Sequence, residues 1–535
     1  MGYTRVEDFL RLDWYQVLLQ VFNEFAIFTQ LSNVVFNVFG AAAPLVVGCP
    51  GTDLVFNGTK EERCTAWAEE GQFCDNPLLE YQFYSANVEF QSICGRQAVT
   101  WLDAVLGPLG ITDKARFSTT LQMIGLVISC LYAGMLSDAW GRKKTLLTCY
   151  SAICILQVIS SFTTSLDGFI LSRFALGLVV GAVLTVTSIF IIEGLPPAHR
   201  FWISTTVTWA PNYMLLGLAA WLSHDWRTLA RVSAAGNLIA VIILLFIEES
   251  PKFLIQKKRK EEAVRALQRI NRFSSDKATL HEIRAVVDAE CGDAVSTVEK
   301  EPLMDSGLAL PPPKHKSKTY TFLHLYSSQK IALRTLVCSF TQFALSTITY
   351  ALMFNMHAIG GSLFLNMFYS GVLRWVVGAT AAILDHFGAG HIGRRRMHLI
   401  TFGAVAFFMV ANFFLIITGL SDSVSWAERP MALIAFGITG CIYLQMALVV
   451  SELFPTCVRT LANAHLNVCG RIGNVIGPNV FSWNLGVAGL PYGYLAVLSG
   501  VEIGMFMVTV PETKNQPLPN ELPVKGRRGK GKEAC

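Results

Sequence analysis

Apolar residues gather along this chain into long runs separated by short polar stretches, and the length of those runs decides the architecture. A run of about 18 or more apolar residues, coiled as a helix, crosses ~30 Å of hydrocarbon. Six such runs lie near Val17–Ala43, Phe117–Leu136, Thr145–Phe162, Phe169–Ile192, Phe201–Leu222 and Thr228–Ile247. Six more lie near Leu336–Met356, Leu363–Leu384, Met397–Ile417, Met431–Val450, Leu461–Phe481 and Tyr492–Val510. The pattern predicts an all-α membrane protein with twelve transmembrane helices.

Two polar segments interrupt the runs, giving a first bundle over 1–250 with a loop at 48–116, a linker over 251–331, a second bundle over 332–514 and a basic tail over 515–535. Inside the linker, Glu261 to Phe273 carries Ala263, Val264, Leu267 and Ile270 at helical spacing. That spacing predicts an amphipathic helix lying on the membrane face or on the bundle. Pro311, Pro312 and Pro313, set among Lys and Ser, read as a flexible stretch.

Composition supports the membrane assignment. Only 15% of the 535 residues are charged, against about a quarter in soluble domains. The sequence holds no nucleophile–base set, P-loop or zinc spacing, and no basic patch with interleaved aromatics. The expectation is therefore no enzyme, no cofactor, no metal and no nucleic-acid partner. The surroundings are a lipid bilayer, and oligomeric state stays open.

Charge placement sets orientation. Arg142, Lys143, Lys144, Arg200, Arg394, Arg395, Arg396 and Arg459 follow spans two, four, eight and ten, and the tail is basic. Loops on the cytoplasmic side carry the excess of Lys and Arg, so both termini are expected in the cytoplasm of a multi-pass plasma-membrane protein. The loop at 48–116 then falls outside. It holds Cys49, Cys64, Cys74 and Cys94 and the acceptor sequon at Asn57. Two disulfides are expected there, with three connectivities open.

The chain also repeats itself. Glu193, Pro196 and Arg200 form E-x-x-P-x-x-x-R after span four, and Glu452, Pro455 and Arg459 form it again after span ten, 259 positions on. Asp138, Gly141 and Arg142 after span two correspond to Asp385, Gly393 and Arg394 after span eight. Parallel six-helix halves of this kind enclose a site near the membrane midplane and work by rocking against each other. The repeated charges are expected to act as a cytoplasmic gate, latching helices in one state and releasing them in the other. Exposed pairs contribute only roughly 0–1 kcal/mol, which suits a switch between states of similar energy.

These motifs resemble the major facilitator superfamily, and within it the organic cation/anion transporters of solute carrier family 22. The likeness covers nearly the whole chain. It includes the cysteine-bearing loop, Asp225-Trp226-Arg227, Glu249-Ser250-Pro251, Gly360 to Asn366, Ser370-Gly371, Glu452 to Thr456 and Pro511-Glu512-Thr513. The resemblance implies a major facilitator fold of two pseudo-symmetric six-helix bundles. Two departures stand out: His386 to Ile392 separate Asp385 from the Gly-Arg pair, and Thr100 to Arg116 lengthen the first loop.

A charged residue inside a span costs ~2.5–3.5 kcal/mol of insertion, so each needs a reason. Candidates are Glu24, Arg173, Arg374, Arg471 and Glu502. By resemblance, cation-handling relatives tend to place an acid at the position of Arg374 and often an Asp at that of Arg471, whereas anion-handling ones and some zwitterion carriers place a base at the latter. Two guanidinium groups in a low-dielectric cavity attract carboxylate or sulfate. Arg173 reads as structural, and the competing view of the others is internal pairing of the arginines with Glu24 or Glu502. By the same resemblance Tyr350 lines the central cavity, while Trp209, Tyr213, Phe340 and Gln445 lie at fitting depths for drug-like ions. The substrate-binding set expected is Arg471, Arg374, Tyr350, Glu24, Trp209, Tyr213, Phe340 and Gln445. The leading function is rocker-switch transport of small organic anions, with or without a counter-ion in exchange. The alternatives are an organic cation or carnitine-like zwitterion, or a transport-inactive receptor that uses the outer loop.

Overall fold

The structure is a computed structural model that describes residues 5–50, 54–58, 60–70, 74, 76–94, 114–196, 203, 207–274, 277–291, 321–357, 359–387, 393–419, 425–455, 458–482, 487, 489–514, 521–526 and 529–534. Among the described residues, twelve helices of 15 residues or more form its body. They are α1 (Trp14–Val34), α2 (Lys114–Trp140), α3 (Arg142–Ser160), α4 (Leu166–Gly194), α5 (Trp209–Ser223) and α6 (Trp226–Phe246). The second set is α7 (Gln329–Phe354), α8 (Leu363–Phe387), α9 (Arg394–Ile417), α10 (Ser425–Leu453), α11 (Arg459–Ile476) and α12 (Leu490–Thr509). Each stands where hydropathy placed a span.

Eight of the twelve are long and apolar enough to cross a membrane by themselves. The other four, α1, α3, α5 and α11, are shorter or more polar. In α1 and α11 the polar positions include Gln16, Asn23, Asn33, Asn467 and Arg471, and helices in the middle of a bundle can carry such groups because neighbouring helices satisfy them. The first span is corrected: α1 stops at Val34 and one separate turn, Asn37–Gly40, follows. The fifth is described from Trp209, where the Thr208 side chain accepts from Ala210 N–H, and Phe201, where the run begins, lies outside the described residues.

Helix contacts repeat between the halves. α1 packs on α4, α5 and α6 as α7 packs on α10, α11 and α12; α2 meets α4 as α8 meets α10; α3 meets α4 and α6 as α9 meets α10 and α12. The halves join through α5 against α8 and α2 against α11. Burial is inverted relative to a soluble protein. Ile400, Phe407, Val497 and Val508 are exposed on the outside, while Asn33, Gln122, Gln157 and Asn237 are buried. The buried amides bond to one another: Gln122 Nε2 donates to Asn33 O at 2.7 Å and Gln157 Nε2 to Asn33 Oδ1 at 3.2 Å. Lipid cannot replace such bonds, so leaving one unmade is costly.

The loop after α1 is a small disulfide-bound unit. Strands Leu45–Gly48 and Leu78–Glu80 pair antiparallel, beside a helix over Lys60–Glu70. Cys49 bonds Cys74 and Cys64 bonds Cys94, which selects one of the three connectivities. Val46, Phe56, Trp67 and Ile93 form its own small core. Thr100 to Asp113 lie outside the described residues.

At the opposite, basic end, the predicted amphipathic helix spans Lys260–Arg272. Its apolar face packs on the protein: Ala263, Val264 and Leu267 meet Val6, Phe9, Phe253, Ile283 and Val287, and Ile270 joins the core of the bundle. Val6 N–H donates to Glu290 Oε1 at 2.8 Å, so the N-terminal segment is stitched into this cluster. The three consecutive prolines lie outside the described residues.

Candidate functional site

A cavity of about 550 Å³ lies between α5, α7, α8, α10 and α11. Five of the eight expected substrate residues line it: Arg471, Arg374, Tyr350, Trp209 and Tyr213. Helical spacing puts them there. Gln342, Ser346, Thr349 and Tyr350 form one face of α7, and Asn467, Gly470, Arg471 and Asn474 one face of α11.

The two arginines are held differently. Arg374 Nη1 donates to Tyr213 Oη at 3.0 Å and Nη2 to Thr439 Oγ1 at 3.2 Å. Its guanidinium also lies 4.4 Å from the Phe436 ring centroid and 5.2 Å from that of Tyr213. All of these partners are neutral, so the charge is cradled without being cancelled. Gly440 makes room for it, since a Cβ there would stand 2.7 Å from Arg374 Nε. Arg471 has neither a hydrogen bond nor an ion pair among the described residues, and Tyr350 and Tyr443 stand within its electrostatic reach.

Neither acid proposed as an internal partner reaches them. Glu24 accepts from Asn212 Nδ2 at 2.9 Å and is not among the lining residues of the cavity. Glu502 is fully buried with His398 at 2.9 Å and Thr341 at 2.8 Å. Phe340 and Gln445 are corrected as well. Phe340 packs on Phe343. Gln445 turns into the second bundle, bonding Thr401 at 3.2 Å and Cys441 at 3.1 Å. Arg173, 1% exposed, donates to Ser160 at 2.9 Å and lies 4.1 Å from the Phe36 ring centroid, sealed within the first bundle.

The repeated charges sit at the basic end. Arg142 meets Asp138 at 2.6 Å and Glu193 at 3.7 Å; Arg394 meets Glu452 at 3.4 Å. Arg459 does not pair with Glu452, and its Nη2 reaches the Phe454 carbonyl at 3.4 Å. Arg200 and the side chain of Asp385 lie outside the described residues. α8 runs on through Asp385 to Phe387, so the inserted residues begin as an extension of that helix.

A further repeat was not anticipated. Glu249, just past α6, accepts from the first amides of α3, at Lys143 N–H (3.0 and 3.1 Å). Glu512, just past α12, accepts from the first amides of α9, at Arg394 (2.7 Å) and Arg395 (3.2 Å). A carboxylate at a helix N-terminus meets unpaired N–H groups and the positive end of the dipole. Gly141, with φ +109°, lets the first approach happen, because a Cβ there would lie 2.5 Å from Glu249 Oε2. Burial pushes the Glu249 carboxyl above its ordinary range, and the amide bonds draw it back down. The signal was present in Glu249-Ser250-Pro251 and Pro511-Glu512-Thr513, which stand at the same place in each half.

The comparisons agree with this architecture. The sugar (and other) transporter family matches residues 103–521. The steroid transmembrane transporter of Oryctolagus cuniculus is 25% identical over 415 residues, 75% of this chain and 68% of that protein. Solute carrier family 22 member 4 of Mus musculus is 26% identical over 415 residues, 76% of this chain and 69% of that protein. The organic cation transporter protein of Drosophila melanogaster is 23% identical over 463 residues, 85% of this chain and 77% of that protein. Among solved structures, the inward open xylose transporter XylE from E. coli matches with a TM-score of 0.61 and 14% identity, over 94% of this chain and 98% of its own. A helix-for-helix duplication, together with a family match over most of the length, makes this chain a membrane transporter of the sugar (and other) transporter family, in the major facilitator superfamily and like solute carrier family 22.

Proposed function

We propose that this protein is a plasma-membrane carrier of small organic anions that works by alternating access, with both termini in the cytoplasm. One observation carries the anion reading: the cavity lining includes two arginines and no acid, and Arg471 has no counter-charge among the described residues. An uncompensated guanidinium in a low-dielectric site favours a bound carboxylate or sulfate and disfavours a cation. Arg471 makes the first contact, Arg374 the second, and Tyr350, Tyr213 and Trp209 flank the apolar body of the solute. Arg142 with Asp138 and Glu193, and Arg394 with Glu452, serve as the cytoplasmic gate. The bundles divide at the linker over 251–331, and Asn57, exposed on the outer loop, takes glycan.

A zwitterion is the second reading. Glu24 has no cationic partner among the described residues, and Asn212, which holds it, adjoins Tyr213 of the cavity wall. The test is uptake by transfected cells of a labelled organic-anion panel beside cation and zwitterion panels. Anion uptake that is lost in Arg471→Asp supports the proposal. Selective cation uptake unaffected by that substitution sinks it. Absence of any specific uptake, with surface expression confirmed, favours the receptor reading instead.

A further inference from the structure

The disulfide-bound loop does more than decorate the outer face. Its last part, residues 81–90, is fastened to the first bundle at several points. Tyr84 N–H donates to His224 O at 3.0 Å and Trp226 N–H to Tyr84 O at 3.1 Å. Ser85 Oγ donates to Ala42 O at 2.6 Å and Asn87 Nδ2 to Ala41 O at 2.9 Å. Glu89 is held by Trp226 Nε1 at 2.7 Å and by Arg227 at 2.5 Å. This strap therefore moves with the first bundle.

From that fixed base Gln82 hydrogen-bonds across to the second bundle. Gln82 Nε2 donates to Gly361 O at 2.9 Å, and Gln82 Oε1 accepts from Leu363 N–H at 2.7 Å. A primary amide satisfies both a carbonyl and an amide of the α7–α8 connection, as a neighbouring peptide unit would. Directly beside it, Phe39 from the turn after α1 and Phe83 from the strap close on Phe364 of α8, with ring centroids 5.9 and 6.2 Å away. Asn479, past α11, donates to Thr120 of α2 at 2.9 Å at the same end. By contrast, Arg142–Asp138 and Arg394–Glu452 at the basic end each stay within one bundle.

We propose that the strap is the external gate, with Gln82 as its latch: it holds the outside of the cavity shut, and the carrier cannot face outward until both Gln82 bonds break. This rests on the orientation and alternating access proposed above. Gln82 is exposed and packs in neither bundle core, so its replacement leaves folding intact while changing the balance of states. Each hydrogen bond is worth little alone, which keeps the latch reversible.

The test places a reporter cysteine, Thr349→Cys, in the cavity wall and labels intact cells with a membrane-impermeant maleimide, using the chain without the reporter as background. Permeabilised cells give the full reactivity of the reporter. Gln82→Ala, which loses two modest bonds, is expected to raise external labelling about fivefold, and Gln82→Glu, which loses one, about twofold. Gln82→Glu keeps the acceptor for Leu363 but loses the donor for Gly361. Phe364→Ala is expected to raise labelling as well. Unchanged external labelling in both Gln82 variants, at equal surface amounts and with the reporter reactive after permeabilisation, overturns the latch. Strong labelling before any Gln82 change overturns instead the orientation beneath it.

Discussion

The two bundles contain arginines of the same chemistry in opposite situations, and the contrast explains which buried charges are available for function. In the first bundle, Arg173 is 1% exposed, lies against Phe36 and Phe169, and donates to Ser160. In the second, Arg374 rests on neutral rings and hydroxyls at the cavity, and Arg471 reaches no partner among the described residues. The difference lies in the neighbours. The first bundle turns its polar groups on one another, through Asn33, Asn37, Gln122 and Gln157. The second places small residues, Gly440 and Gly470, beside its charges and leaves space in front of them. A charge in a membrane helix thus marks a cost, and only its surroundings show whether that cost serves packing or a ligand.

Reversing the free charge should break the contrast most sharply. Arg471→Asp is expected to shift the ratio of anion to cation uptake by about 100-fold, because like charges in a desolvated site cost several kcal/mol. Paired uptake assays at equal surface expression measure it. If the ratio holds, Arg471 faces something other than substrate. The matching change in the first bundle has a different readout. Arg173→Ala is expected to lower stability by about 2 kcal/mol through lost ring contacts and an unfilled site, with the uptake ratio unchanged. Thermal unfolding of the purified carrier in detergent checks the first part, and the same uptake assay checks the second.

A smaller effect tests the cradle rather than the charge. Gly440→Val drives a side chain toward Arg374 Nε, where even a Cβ would stand at 2.7 Å. Displacing the guanidinium should raise the apparent KM for anions about tenfold while Arg471 still selects for them. An unchanged KM in concentration-dependent uptake would mean that Arg374 does not touch the solute.

Much of this was legible in the sequence, for definite reasons. Run length in a hydrocarbon solvent permits few structures, so the span positions survive, and a duplicated chain announces its own symmetry. Of the charged positions, Arg471 and Arg374 were recognisable because nothing apolar about their helices explained them. Gln342, Ser346 and Thr349 on α7, and Asn467 and Asn474 on α11, were missed as lining residues although they recur at helical spacing. Gln445 was misplaced for the complementary reason: its depth was right, but depth does not fix azimuth, and it faces Thr401 rather than the cavity. Disulfide connectivity was open because cysteine spacing carries no geometry. The braces at Glu249 and Glu512 were present as motifs, but which helix end each would meet depends on how three elements come together at the basic end.

The two charge clusters at that end, proposed above as the gate, provide the finest test of how far the duplication extends. Arg142, with its side chain 9% exposed, serves Asp138, Glu193 and Ser137 and lies 5.3 Å from the Phe253 ring centroid. Arg394 meets Glu452 through Nε at 3.4 Å, and that carboxylate also accepts from Thr513 at 2.7 Å. Pairs like these contribute little unless geometry is good and water is excluded, so equal motifs should have unequal effects. Arg142→Ala is expected to reduce uptake about fivefold and Arg394→Ala less than about twofold. Uptake rates normalised to surface protein decide it. Equal losses would mean that the two pairs latch alike during the cycle, whatever their contacts in this state; a larger loss at Arg394 would place the main gate in the half where the sequence is least regular.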